Sequence, residues 1–156
     1  MEFTAEELAE VEKIKAKYPN SDAAIMPLLW KAQKKWGWIS DDVIRYLAYL
    51  LQMPIARIEG IASFYTMYFK KQPGRHHIQV CTNVSCMLHG GEEMLAKFSD
   101  KLGIKSGETT ADGAFSLEEV ECMGACGYAP MIAVDEEYIE NLDINKIDEI
   151  IEKYRS

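Results

Sequence analysis

The chain has 156 residues, 48% apolar and 27% charged, the composition of a soluble globular protein long enough to bury about two-thirds of its unfolded surface without disulfide staples. A largely apolar stretch such as IASFYTMYF (61–69), about nine residues interrupted by Ser63 and Thr66, falls well short of the roughly 18 that a spanning helix requires, so no direct membrane insertion is expected. The formal charge of −8 divides into +2 over residues 1–75 and −10 over residues 76–156, and so acidic a half argues against a nucleic-acid partner.

The opening MEFTAEELAEVEKIK is acidic and amphipathic. A secretory signal would set a basic start before an apolar block, so a cytoplasmic chain is expected. Thr4 and Glu7 form a capping-box pattern, with Leu8, Val11 and Ile14 following at helical spacing up to Tyr18-Pro19. Ser21 or Asp22 is placed to cap a second helix, with Ile25, Leu28, Leu29, Ala32 and Trp36 on one stripe and Gly37 as its stop. Ser40 opens a third helix, SDDVIRYLAYLLQ, whose first-turn acids suit the positive end of the helix dipole. Pro54 fits the first turn of a fourth, PIARIEGIASFY. Trp30, Trp36, Trp38, Tyr46 and Tyr49 are expected to pack its core. Residues 1–73 thus read as an N-terminal helical bundle, closed by a linker at Pro73-Gly74.

From residue 74 to 156 the pattern becomes strand, helix, strand, strand, strand, helix. HHIQVC is a strand ending in Cys81, GGEEMLAKFSDKLG (90–103) a helix, and FSLEEVEC a strand ending in Cys122. MIAVD and EYIENL form a hairpin, and Asp143 caps INKIDEIIEKYR, whose isoleucines make one apolar stripe. The fold class is therefore α+β, a helical bundle followed by an α/β domain.

The chemistry is concentrated in four cysteines. Four residues separate Cys81 from Cys86, three separate Cys122 from Cys126, and 35 lie between the pairs. Each pair begins where a strand ends, so neighbouring strands would bring four thiolates toward one sheet edge. In a reducing compartment such a set suits a soft metal, either structural zinc or an iron-sulfur cluster. Pairs wider than Cys-x-x-Cys suit a binuclear cluster, which spreads its ligands over two irons. Gly124 and Gly127 either let backbone N–H groups approach the sulfurs or simply shape a tight turn. The helix after Cys86 can turn its positive end toward an anionic group. No Cys-x-x-Cys of the thioredoxin-reductase kind occurs. His76, His77 and His89 have no third orienting group that would build a Cys-His nucleophile. No glycine pattern marks a nucleotide site.

Embedded in VCTNVSCMLHGGEE and LEEVECMGACGYAP, and preceded by IARIEGIASFYTMY, this spacing closely resembles the thioredoxin-like 2Fe-2S ferredoxin (E) subunit family of respiratory complex I, NADH:quinone oxidoreductase. The resemblance covers nearly the whole chain. It implies a thioredoxin-like domain over residues 74–156 and one 2Fe-2S cluster ligated by Cys81, Cys86, Cys122 and Cys126. It implies no catalytic residue in the chain itself, with FMN and NADH held only by a partner flavoprotein subunit in the peripheral arm of a membrane-bound complex. Equivalent subunits of NAD-dependent hydrogenases and formate dehydrogenases share the pattern, and a structural zinc interaction module is the alternative of another class. A cis bond at Ala129-Pro130 also follows from the resemblance.

Overall fold

The structure, a computed structural model, describes residues 1–155. The chain divides into two compact units between Gln72 and Pro73.

The first unit is helical. Helix α1 (Ala5–Lys15) starts with a complete capping box: Thr4 Oγ1 accepts the Glu7 N–H at 3.3 Å, and the Glu7 carboxylate accepts the Thr4 N–H at 2.7 Å. Helix α2 (Ile25–Trp36) is preceded by one 3-10 turn, Ser21–Ala24. That inserted turn moves the cap from the expected Ser21 or Asp22 back to Asn20, whose side chain accepts the Ala23 N–H. Gly37 ends α2 at φ +83°, a conformation only glycine adopts without cost. Helix α3 (Asp41–Leu51) is capped by Ser40, and α4 (Ile55–Phe64) starts one residue after Pro54, which sits outside the helix rather than in its first turn.

Apolar stripes of the four helices meet in a core that includes Leu28, Leu29, Val43, Leu47 and Ile58, all fully buried. The buried Gln33 amide satisfies backbone that leaves α4: its NH2 donates to the Met67 carbonyl and its oxygen accepts the Phe69 N–H, both at 2.8 Å. The aromatics divide. Phe3 stacks on Trp36 at 4.9 Å, and Tyr46 meets Phe3 edge-on. Tyr49, expected in the core, is 79% exposed, and Phe64 is 78% exposed.

The second unit is a five-stranded mixed sheet with two long helices. Its strands are β1 (His76–Cys81), β2 (Glu108–Thr109), β3 (Phe115–Val120), β4 (Ile132–Val134) and β5 (Glu137–Ile139), in the order β2-β3-β1-β4-β5. β1 runs parallel to β3, with Cys81 opposite Val120, and antiparallel to β4. A short helix, α5 (Val84–Leu88), and then α6 (Gly91–Leu102) carry the chain from β1 to β3. The last helix, α7 (Ile147–Arg155), follows a 3-10 turn capped by Asp143.

Period-two alternation gives the β1–β3 pair two unlike faces. Ile78 and Val80 join Phe115 and Leu117 under Phe98 of α6 and Ile147 and Ile151 of α7. His77, Gln79, Ser116 and Glu118 form a hydrogen-bonded polar set instead. His77 contacts the Ser116 hydroxyl at 2.7 Å and the Glu118 carboxylate at 2.9 Å, and Gln79 donates to the same carboxylate. The expected second strand ends at Val120, so Cys122 lies two residues beyond it; β2 and α5 were not legible as elements. No helix among the described residues is long and apolar enough to cross a membrane.

Candidate metal centre

Parallel strands end at the same side of a sheet, and this places both cysteine segments together. Cys81 is the last residue of β1 and Cys86 lies in α5, whereas Cys122 follows β3 and Cys126 opens a 3-10 turn, Cys126–Tyr128. All four are free thiols; Cys81 and Cys86 are buried, Cys122 and Cys126 exposed. Among the described residues no three His, Cys, Asp or Glu side chains gather as the shell of one ion. The sulfurs stand instead as two pairs. Cys122 and Cys126 are 3.3 Å apart, close to the roughly 3.8 Å that two ligands of one tetrahedral metal would show at metal–sulfur distances of about 2.3 Å.

The buried pair is set in an apolar bed of Met131, Met123, Ala125 and Ala129. Burial pushes the Cys86 thiol up to about 11, reinforced by its hydrogen bond with Cys81 and offset in part by the Met131 backbone N–H. Met131 follows the Ala129-Pro130 bond, which is cis as expected. Its carbonyl also accepts the Cys81 N–H, at 3.3 Å.

The exposed pair is held differently. The Gly124 N–H donates to the Cys122 sulfur at 3.3 Å, and this bond, together with the Cys126 thiol, lowers the Cys122 thiol below its ordinary range. Cys126 is raised in turn, first by its hydrogen bond with Cys122 and then by that neighbour's charge. Gly124 takes φ +88°, the positive value that turns its amide back onto the sulfur. Gly127, expected to serve likewise, has no positive φ. The second amide aimed at a sulfur comes from Met131, a residue whose role no spacing announced. Loop and helix are joined by the Ser85 hydroxyl, which donates to the Cys126 carbonyl at 2.8 Å.

Helix α6 closes the site from below. A Cβ on Gly91 would lie 2.6 Å from the Cys81 carbonyl oxygen and 3.0 Å from the Cys86 carbonyl, so only glycine lets the helix start there. Its positive end thus rests on the backbone of the first pair. The histidines have other partners: His76 meets Asp135, His77 meets Ser116 and Glu118, and His89 meets the Ser85 carbonyl. The donor set of four thiols, with an N–H aimed into each pair, fits a thiolate-bound cluster.

The family model for thioredoxin-like [2Fe-2S] ferredoxins matches residues 11–155. The NADH-quinone oxidoreductase E 2 subunit of Rhizobium meliloti (strain 1021) is 43% identical over 147 residues, 94% of this chain and 88% of that protein. The E subunit of the same oxidoreductase from Rickettsia bellii (strain RML369-C) is 42% identical over 157 positions, 99% of this chain and 94% of its own. Among solved structures, an NAD+-reducing [NiFe]-hydrogenase in the air-oxidized state superposes with a TM-score of 0.74 at 24% identity, covering 84% of this chain but only 22% of the hydrogenase chain. That last likeness concerns the fold. The match over nearly the whole length makes this chain a member of the thioredoxin-like [2Fe-2S] ferredoxin family, with one 2Fe-2S cluster as its cofactor.

Proposed function

We propose that the chain is the electron-transfer subunit of an NADH:quinone oxidoreductase. In this reading Cys81, Cys86, Cys122 and Cys126 ligate its cluster, and a partner flavoprotein subunit in the peripheral arm holds FMN and the NADH site. The observation that carries the reading is the pairing: two cysteine pairs leave one end of a parallel strand pair, the arrangement that suits two irons with two ligands each. Relatives named as E subunits, matched over nearly their full length, support the parent complex.

When bound, a 2Fe-2S cluster takes up and returns one electron at a time. The protein's part is electrostatic and steric. The amides of Gly124 and Met131 donate toward sulfur and offset negative charge that grows on reduction. Met131, Met123, Ala125 and Ala129 keep water from the buried pair, while exposure of Cys122 and Cys126 leaves the other side open to a redox partner. Ligation requires deprotonated thiols, so loading releases protons. The chain itself is not expected to oxidise NADH.

Anaerobically purified protein will contain nearly equal iron and acid-labile sulfide and give a rhombic EPR signal on reduction. A colourless protein holding zinc without sulfide would overturn the reading. Co-purification with the flavoprotein subunit tests the partner: a loaded chain that fails to capture it contradicts that assignment.

A further inference from the structure

Between Val120 and the 3-10 turn at Cys126, the segment carrying the exposed cysteines contains neither strand nor α-helix, and it rests on the buried pair through Met123 and Ala125. Cys122, Gly124, Cys126 and Gly127 are exposed, and a Cβ built on either glycine would meet nothing within 4 Å. Packing of Met123 and Ala125 anchors the loop, but nothing packs at the glycines beside the sulfurs, so hydrogen bonds orient the chain there. Its Gly124 N–H is spent on the Cys122 sulfur. Two of its carbonyls accept hydroxyls from other elements: Met123 from Tyr138 of β5 at 3.2 Å, and Cys126 from Ser85 of α5 at 2.8 Å.

We propose that Ser85 and Tyr138 are positioning residues that fix the exposed cysteine pair relative to the buried one, with Ser85 the stronger tether. Ser85 directly precedes Cys86, so one five-residue helix presents both a thiol of the first pair and the hydroxyl that holds the second. That bond acts beside the Asn83 amide, which caps the same helix and donates to the Glu121 carboxylate next to Cys122 at 2.8 Å, so α5 holds the second pair from both sides. Tyr138 is 53% exposed, so water competes for its bond and its hold is weaker. The Ser85 bond also occupies the Cys126 carbonyl; without it the negative end of that dipole is free to turn toward the sulfurs and disfavour added negative charge. The proposal rests on the four cysteines being cluster ligands only where its readout is the cluster.

Comparison of Ser85→Thr with Ser85→Val in the full chain tests it, since the two side chains have the same shape and only threonine keeps the hydroxyl. The valine variant should lose iron to a chelator roughly two- to tenfold faster than the threonine variant, the span of one ordinary net hydrogen bond. Its reduced EPR lines should shift and its potential become more negative, while the threonine variant matches wild type. Tyr138→Phe should move the same readouts by less. In the full chain freed of metal, amide exchange over residues 123–127 should accelerate with valine and not with threonine. Valine and threonine variants that behave alike in both forms would overturn the tether. Wild-type protein lacking iron and sulfide would refute the cluster reading instead, and the exchange comparison would then decide the tether alone.

Discussion

Cys81 and Cys86 are 3% and 2% exposed, on a strand end and a short helix among methionines, whereas Cys122 and Cys126 lie exposed on a loop. The first pair is built into the α/β unit; the second is attached to it by Met123 and Ala125 and by a few hydrogen bonds. The contrast teaches that one half of the centre is fixed by folding itself, and the other half is free to adjust to metal and to a partner. Burial also separates the thiols chemically, raising Cys86 while the Gly124 amide lowers Cys122.

The strongest way to break this comparison is serine replacement. Cys86→Ser should remove most of the iron and also destabilise the metal-free chain by about 1–3 kcal/mol, because it buries a polar hydroxyl in an apolar bed shaped for sulfur. Cys122→Ser should alter the metal-free chain by less than about 0.5 kcal/mol and retain part of its iron; equal losses in denaturant titrations would erase the distinction. Gly91→Ala comes next. Its methyl would press on the Cys81 and Cys86 backbone, at a cost of about 1–3 kcal/mol in thermal or chemical unfolding. Gly127→Ala, with open space around it, should leave stability nearly unchanged.

Alkylation sharpens the same contrast. Thiolates are the reacting species, so iodoacetamide should label Cys122 of the metal-free chain first, at a pH below the ordinary thiol range. Cys86 should react last, with its rate still rising toward pH 11. Peptide mapping that finds Cys86 labelled before Cys122 contradicts the arrangement. The smallest expected effect lies away from the cysteines, at Glu118. His77 holds its carboxyl below the ordinary value of 4.5, against the opposing effect of partial burial. The sign follows: this contribution is present above pH 4.5 and lost as pH falls through the lowered value. Glu118→Gln should therefore flatten the acid limb of the stability curve by about 1 kcal/mol or less, with iron retention at neutral pH unchanged.

Much of the helical unit was legible because its signals are local. Thr4 with Glu7, Ser40 and Gly37 each act within one turn of their own position, and the structure uses all three. β1 was legible for a similar reason, since HHIQVC occupies the strand from His76 to Cys81. The five residues of α5 are too few to display a period, and the two of β2 gain strand character only from pairing with β3. At the candidate centre the cysteines could be listed from spacing, but their division into buried and exposed pairs arises in three dimensions. Gly127 was expected to let an N–H approach the sulfurs or to shape a tight turn, yet the second N–H aimed at a sulfur is that of Met131, brought into place by strand pairing. Tyr49 misled because an aromatic at helical spacing reads as core until the neighbouring helices are in place.

The parallel pairing of β1 with β3 has a consequence for biosynthesis. His76 lies opposite Phe115 and Cys81 opposite Val120, so a nascent chain that has just displayed Cys81 and Cys86 owns only half of a centre. The second half arrives after the whole crossover has been synthesised and β3 has docked. In the proposed reading, cluster capture by all four cysteines thus reports that β3 has docked on β1 in register, before β4 and β5 are even in place, and a chain released early would leave its first two thiols without partners.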